Sequence, residues 1–498
     1  MIDYIITYWP YLAIFLTVFL LSVFLIKRNP DLAFWLLLNI FFDPGGYLTY
    51  YFAGKLVSRL YISDIVIPPI LFCLYVINTN FKIIYKDRFF TGFLKVFAVF
   101  AAYFFIVYGA IVPYLFDDFN YLLFLQKNRM FLYYMIVLIS VYIFTMRSLK
   151  YFYMVTLFTG FILLSAFLVS LVTHLQLIPI FFLERYEGSG IMRISMYSWG
   201  LFDILFPLSL ILFLFPRKLK LNIKFKKIAY IAGMLMLLTM LVALSRRNFI
   251  SIPGSVLIIV LLNSFIFRRN KALAMAKVLI PMGVTLIIIN FTLPKYIDYI
   301  SEISQDAFGL LMKGKDTRGE GEYRVSGTGD LEISKRYIAD NFILGTGYTY
   351  IHWGSSGSAI TSRGPVYAAA MDAAGEVPVY YIFFGYGFAG FIIMVFLYIF
   401  IIRLFLKLYS LARRKISALT EYPYEVLFVF YILYLIANRF TYDAYSLGID
   451  FTAPIYGIYI GIEFALLRKF KIIASNAETS SSESKEINQQ YLVLKDEK

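Results

Sequence analysis

Two carboxylates and one histidine have the side chains needed for general acid–base chemistry. Asp372 and Glu376 lie four residues apart just before an apolar run, so they share one face if this turn is helical. Partial desolvation at a membrane surface raises the pKa of a carboxylate towards the range in which it acts as a base. His352, between aromatic residues in Tyr348–Gly354, is a third candidate base. The alternative for all three is a structural role, as partners of arginines or as packed surface groups.

A set of arginines could bind an anionic group such as a phosphate. A guanidinium group binds phosphate through two parallel hydrogen bonds, and charges at membrane depth usually face the bundle interior or a watery cavity. The candidates share a predicted position on the outer side of the membrane, where positive charge is not expected. They are Arg246, Arg247, Arg324, Arg363 and Arg439. Contact with lipid head groups or with neighbouring carboxylates is the alternative interpretation.

The elements that must position these residues are membrane helices. Of the 498 residues 60% are hydrophobic and 15% charged, whereas a soluble domain carries about 25% charge. About thirteen apolar runs (between about 12 and 14) approach the roughly 20 residues needed to cross a bilayer. Their approximate cores are 5–26, 32–52, 60–77, 89–113, 130–146, 151–175, 195–215, 228–244, 249–267, 274–293, 378–402, 424–442 and 448–467. The composition therefore predicts an all-α polytopic membrane protein with one large loop between late helices.

The distribution of charge predicts the orientation in the membrane. The net charge of +15 comes from basic clusters in alternate short connections, which is the positive-inside pattern and argues against nucleic acid as a partner. The N-terminus is then extracytoplasmic and the C-terminus cytoplasmic. Residues 1–293 would form helices 1–10, residues 294–377 a large acidic extracytoplasmic loop that would carry the active site, and residues 378–467 helices 11–13. The polar tail 468–498 is expected to be cytoplasmic and disordered.

Several familiar catalytic classes lack their motifs here. The chain has no phosphate-binding Walker motif, no dinucleotide fingerprint and no nucleophilic serine elbow. Two distant histidines make a zinc site improbable, and no dense set of metal ligands is present. We therefore expect no cofactor and no dedicated metal site, although Asp330, Asp372 and Glu376 could coordinate a divalent cation. Aromatic side chains such as Tyr348, Tyr350, Trp353 and Tyr367 are candidates for stacking on sugar rings.

Three segments resemble the superfamily of O-antigen polymerases and O-antigen ligases, which are polytopic bacterial glycosyltransferases with a large periplasmic loop. The first is Leu244–Arg246, similar to the Ser-Arg turn of that family. The second, Tyr337–Gly347, is similar to a loop string ending in Leu-Gly-x-Gly, with Arg324 where an upstream arginine usually lies. The third is Gly387–Gly390, and counting back from it places Glu376 where the ligases have a histidine. Phe342 stands where the family usually has a proline.

The resemblance implies an inverting, metal-independent glycosyltransferase of the bacterial inner membrane that makes a surface polysaccharide such as the O-antigen of lipopolysaccharide. Its donor and acceptor would be oligosaccharides on polyprenyl (undecaprenyl) diphosphate, and a chain-length regulator protein is a candidate partner. Arg246, Arg247, Arg324, Arg363 and Arg439 would hold the diphosphate. The base would be Glu376, Asp372 or His352, a choice that the sequence leaves open.

Two alternatives to a polymerase follow from the same features. A ligase would transfer the glycan to lipid A core, but the missing histidine at Glu376 favours a polymerase. A flippase for lipid-linked oligosaccharides would also place arginines in a central cavity. Transporters usually show inverted repeats and charges at mid-span, whereas the charges here collect at the outer ends of the spans.

Overall fold

The computed structural model describes the helices and strands that follow and scattered residues between them. The described residues are 88–116, 148–175, 181–185, 192–196, 204–214, 220–242, 330–346, 352–353, 359–360, 363–375, 378–414, 422–442 and 458–471, with single positions in 16–36 and 252–305 and at 140 and 177. Five predicted spans are described only at these single positions: 5–26, 32–52, 130–146, 249–267 and 274–293. The predicted span 60–77, the Ser-Arg turn and the polar tail beyond Lys471 lie outside the described residues.

The described residues are predominantly helical, as predicted, and four of the helices are long and apolar enough to cross a membrane. These four cover Phe90–Leu115, Lys150–Thr173, Ile223–Val242 and Ile382–Arg414. Large apolar side chains on their surfaces, including Phe158, Val172 and Phe396, are exposed in the isolated chain. Such surfaces are unfavourable in water and favourable in hydrocarbon. The chain is therefore a helical membrane protein.

The first long span changes its helical geometry midway. α1 (Arg88–Ala102) continues as a π-helical segment (Tyr103–Ile111) and ends as α2 (Val112–Leu115). The amide of Val112 bonds to the carbonyl of Val107, five residues back. Pro113 follows and has no amide hydrogen, so it cannot make the usual bond to the fourth carbonyl before it. The wider π-helical turns are common at functional sites.

A bundle of apolar helices forms the main core. It contains α3 (Lys150–Thr173), α4 (Leu205–Leu214), α5 (Ile223–Val242), α9 (Pro423–Tyr442) and α10 (458–471). α5 packs against α3 and α4, and α4 also contacts α9. The hydroxyl of Tyr153 on α3 donates to the carbonyl of Tyr424 (3.1 Å) and accepts from the hydroxyl of Tyr431 (2.7 Å). Hydrogen bonds of this kind hold helices together where apolar burial does not drive their association.

One predicted span begins in the wrong place. The expected helix 195–215 does not include its first two residues, because Met192–Met196 (β2) pairs antiparallel with Phe181–Arg185 (β1), and its described part is Leu205–Leu214. The residues from Met192 to Met196 alternate between apolar and polar, which is the period of a strand. A window that averages hydropathy does not detect this alternation.

The segment predicted as a single loop contains a small helical unit. α6 (Asp330–Asp340) and α7 (Pro365–Gly375) pack against each other and against the start of α8 (Pro378–Arg414). A short hairpin, β3 (His352–Trp353) with β4 (Ala359–Ile360), lies between α6 and α7 in the chain. The unit has its own buried core, separate from the main bundle, made by Tyr367, Ala370, Ala374 and Phe384. This small core fixes α6 and α7 on the end of a membrane helix.

Candidate functional site

The candidate site begins at the turn that ends α6. The amide of Asn341 bonds to the carbonyl of Tyr337 (3.1 Å), and the amide of Gly345 bonds to the carbonyl of Asn341 (2.8 Å). Gly345 then adopts a left-handed conformation with φ of 71°. Glycine is the usual residue in this conformation after a helix, because it lacks a Cβ atom. The turn directs Thr346 back towards α8.

The turn docks into a break in α8. Gly387 has φ of 64° and ψ of −175°, so the regular helix stops and starts again at this residue. The amides of Phe388 and Ala389 donate to the carbonyls of Phe342 (2.8 Å) and Ile343 (3.1 Å). A helix that starts again has amides without partners inside the helix. Carbonyls in the turn after α6 accept hydrogen bonds from two of these amides.

Thr346 supplies hydrogen-bond donors to the part of α8 that precedes the break. Its amide and its hydroxyl both donate to the carbonyl of Phe384, at 2.8 and 2.7 Å. The hydroxyl of Thr346 also accepts a hydrogen bond from the hydroxyl of Tyr367 at 2.8 Å. The turn and the broken helix therefore supply each other's missing hydrogen-bond partners.

Two glycines make this close approach possible. A Cβ atom added to Gly345 would lie 2.5 Å from the carbonyl oxygen of Gly385 and 2.5 Å from the amide nitrogen of Gly387. A Cβ atom added to Gly387 would in turn collide with the backbone of residues 343–345. The backbones are thus in direct contact, and both glycines are required by the space as well as by their positive φ angles.

Arg363 lies at the centre of this site. Its Nη1 atom donates to the carbonyl of Thr346 and, at 3.3 Å, to the hydroxyl of Tyr367. Its guanidinium carbon lies 4.1 Å from the ring centroid of Phe116 and 4.9 Å from that of Tyr367. Phe116 directly follows α2, so the cation is held between the helical unit and the end of a membrane span. The side chain remains partly exposed.

The first membrane span also contacts the break. The hydroxyl of Tyr103, the first residue of the π-helical segment, donates to the carbonyl of Tyr386 at 2.9 Å. Gly390 faces the ring of Tyr103, and a Cβ atom at this position would lie 3.1 Å from it. The break in α8 is therefore held by the turn after α6 and by Tyr103.

Some of the predicted site residues lie within the described part of the chain and others do not. Arg363 lies beside the string Tyr337–Gly347, and the string itself contacts Gly387. Asp372 belongs to α7, His352 to β3 and Arg439 to α9, but their side chains lie outside the described residues. The predicted residues Glu376, Arg246, Arg247 and Arg324 lie wholly outside them.

One candidate stacking residue is excluded. Tyr367 is fully buried in the small core and bonds to Thr346, so its ring is not available to a sugar. Phe342, which replaces the proline expected from the resemblance, stacks on Phe383 and Phe388 with ring centroids 5.8 and 5.4 Å apart. At this position the aromatic ring contributes packing on the surface of α8.

Thr346 and Tyr103 were not expected in the site. The sequence does show two Gly-x-Gly pairs, Gly345–Gly347 and Gly385–Gly387, which mark places of close backbone approach. A pairing between them is not visible in the sequence, because it depends on how α6 returns to α8. Tyr103 gives no signal in a chain so rich in tyrosine.

The fold and the site define a class: a polytopic helical membrane protein with a small helical unit docked into a broken membrane helix beside an arginine. Comparison of the chain with protein-family models, with curated proteins and with solved structures gave no significant match.

Proposed function

We propose that the protein is a polymerase of lipid-linked oligosaccharide repeat units. It transfers a glycan from polyprenyl diphosphate to a sugar hydroxyl on a second lipid-linked unit, with inversion and without a metal ion. The bacterial inner membrane, with the helical unit on the periplasmic side, is the location that this function requires. The support is that the string carrying the resemblance, Tyr337–Gly347, is packed into a membrane helix beside a cation.

The position of Arg363 is the observation that carries the proposal. The tail of a polyprenyl diphosphate lies in the hydrocarbon, so its diphosphate must lie where membrane spans end. Arg363 contacts Phe116 at the end of one such span and is fixed there by Thr346 and Tyr367. A fixed guanidinium group stabilises charge that develops on a leaving diphosphate without reorganising during the reaction. Arg246, Arg247, Arg324 and Arg439 would add positive charge around the same group.

The candidate bases would act on the acceptor side of the same displacement. Arg363 precedes α7 and Glu376 follows it, while Asp372 lies in its last turn. The 11 residues of α7 extend about 16 Å. We therefore assign Arg363 to the leaving group and Glu376 or Asp372 to the acceptor hydroxyl, whose proton must be removed as it attacks the anomeric carbon. His352, in β3, is the third candidate for this proton transfer.

The test is a reconstituted assay in liposomes with a synthetic lipid-diphosphate oligosaccharide and EDTA. The wild-type protein should produce a ladder of longer lipid-linked glycans. Arg363→Ala should lower the rate by about 10²-fold or more, as does the loss of one fixed electrostatic donor in other enzymes. Arg363→Lys should retain part of the rate, because it keeps the charge but loses the planar fork.

Arg336→Ala is the matched control, since Arg336 is an exposed arginine on α6 of the same helical unit. Its rate should equal that of the wild type. A wild-type protein that makes no ladder, but makes product once lipid A core is added, would be a ligase. Movement of the substrate across the bilayer without any product would identify a flippase. Equal rates for Arg363→Ala and Arg336→Ala would remove Arg363 from the site.

A further inference from the structure

The turn after α6 has an apolar tip, whereas α6 itself carries several charged side chains. Glu332, Lys335 and Arg336 lie on α6, and Lys335 pairs with Glu332 at 3.1 Å. The three residues Phe342–Leu344 that follow the helix are apolar and exposed. The exposed fraction is 48% for Phe342 and 68% for Ile343. An exposed run of large apolar side chains beside a charged helix indicates a surface for an apolar partner.

The depth of the tip follows from its hydrogen bonds to α8. Because Phe388 and Ala389 bond to Phe342 and Ile343, the tip lies at the level of Gly387. At a rise of about 1.5 Å per residue, Gly387 lies about 24 Å along α8 from Arg403. The hydrocarbon core of a bilayer is about 30 Å thick. If Arg403 marks the boundary of the hydrocarbon at one face of the membrane, Gly387 and the tip lie within the hydrocarbon, close to its boundary at the opposite face.

The apolar tip is continuous with the lipid-facing surface of α8. The ring of Phe342 stacks on that of Phe388, which is 42% exposed. From Phe388 the exposed face of α8 continues along the candidate span through Phe396, which is 62% exposed. Ile392 and Ile399 lie on the same exposed face at helical spacing. The tip and this face form one uninterrupted apolar surface.

Two backbone carbonyls of the tip have their hydrogen-bond partners within the protein. Irregular backbone is tolerated at membrane depth only where its polar groups are satisfied within the protein. The carbonyls of Phe342 and Ile343 accept from α8, and the amide of Gly345 donates to Asn341. The turn therefore does not depend on water for these hydrogen bonds.

We propose that the tip Phe342–Leu344 is inserted into the hydrocarbon of the leaflet on its side of the membrane, where it contacts the acyl chains of phospholipids. α6 then lies in the head-group region with its charges, and the predicted loop is anchored in the bilayer at its midpoint. This inference rests on exposure, depth and hydrogen bonding, and it is independent of the proposed polymerase activity.

The test uses single cysteines in the full-length protein in phospholipid vesicles. Cys73 is the one cysteine of the chain, so Cys73→Ser gives a cysteine-free background. Ile343→Cys is compared with Arg336→Cys, which lies seven residues earlier, on α6. Both sites share one side of the membrane, so a mixed orientation in the vesicles affects them equally. A monodisperse size-exclusion profile confirms that each variant is folded.

Two readouts are needed. A charged methanethiosulfonate reagent should react with Ile343→Cys at least about tenfold more slowly than with Arg336→Cys, because hydrocarbon excludes the charged reagent. A bimane label at position 343 should be quenched by phospholipids brominated on their acyl chains, and the label at 336 should be quenched much less. Equal reaction rates would place the tip in water and overturn the proposal. Slow reaction without quenching by the brominated chains would mean that protein covers the tip, which also overturns it.

Discussion

Replacing Gly345 by alanine should open the junction between the turn and α8. The added Cβ atom would lie 2.5 Å from two backbone atoms of residues 385 and 387. Neither of these atoms belongs to a flexible side chain, so the turn itself must move away from the break. Such a movement weakens the hydrogen bonds that Thr346, Phe388 and Ala389 make across the junction.

The size of the effect follows from two contributions. An alanine at φ of 71° costs about 1–2 kcal/mol relative to glycine. Loss of two of the junction's hydrogen bonds adds about 2 kcal/mol, at about 1 kcal/mol each. The free energy of opening the junction should therefore fall by about 3–4 kcal/mol, which corresponds to roughly 10²- to 10³-fold more frequent opening.

Hydrogen exchange followed by mass spectrometry measures this opening directly. Peptides that contain the amides of Phe388 and Ala389 should exchange faster in Gly345→Ala by the factor given above. Gly364→Ala is the matched control, because Gly364 also has a positive φ of 90° but no atom lies within 4 Å of its added Cβ. This control carries the conformational strain without the collision. It should leave the exchange of Phe388 and Ala389 within about threefold of the wild type.

The reasoning would be refuted if Gly345→Ala and Gly364→Ala changed the exchange of these amides equally. Such a result would mean that the turn does not rest on the broken helix. Unchanged exchange in both variants would have the same meaning.

Two further changes test the contacts on either side of the junction and at the far end of the bundle. Thr346→Val removes the hydroxyl that bonds to Phe384 and Tyr367 and should cost about 1–3 kcal/mol. Thr346→Ser keeps both bonds, so a melting temperature in detergent as low as that of the valine variant would contradict this role. At the far end, Lys469 and Glu425 form a pair at 2.9 Å with side chains 15% and 2% exposed. Lys469→Met leaves a buried carboxylate unpaired and should cost about 3–5 kcal/mol, whereas the double variant with Glu425→Gln should recover most of the loss. Equal melting temperatures for the single and double variants would show that the pair is not coupled.

The sequence was sufficient to predict most of the helices in the described part of the chain. The run 151–175 corresponds to α3 within two residues at each end, because a long apolar stretch has few other stable structures in a membrane. The run 378–402 was too short: α8 continues to Arg414. Hydropathy ends at Arg403, but Leu, Lys and Arg are good helix formers, so the helix extends beyond the apolar region.

The site could be predicted only in part. Arg363 was selected because positive charge was unexpected in its segment, and the Tyr337–Gly347 string because it resembles a loop motif of a known family. The contact between them depends on the path of the chain from α6 through β3 and β4 to α7. No local pattern encodes that path. The hairpin of β1 and β2 was missed because only β2 alternates between apolar and polar residues, whereas β1 (Phe-Phe-Leu-Glu-Arg) does not.

The break at Gly387 has a consequence for the order in which the protein can fold during synthesis. The small core around Tyr367 is completed by Phe384, and the hydrogen bonds of Thr346 end on the same residue. Phe384 belongs to α8, which the ribosome makes after α6 and α7. The earlier helices therefore have no finished core of their own and must wait for the following helix to emerge. Membrane insertion of α8 is in this sense the step that completes the helical unit before it.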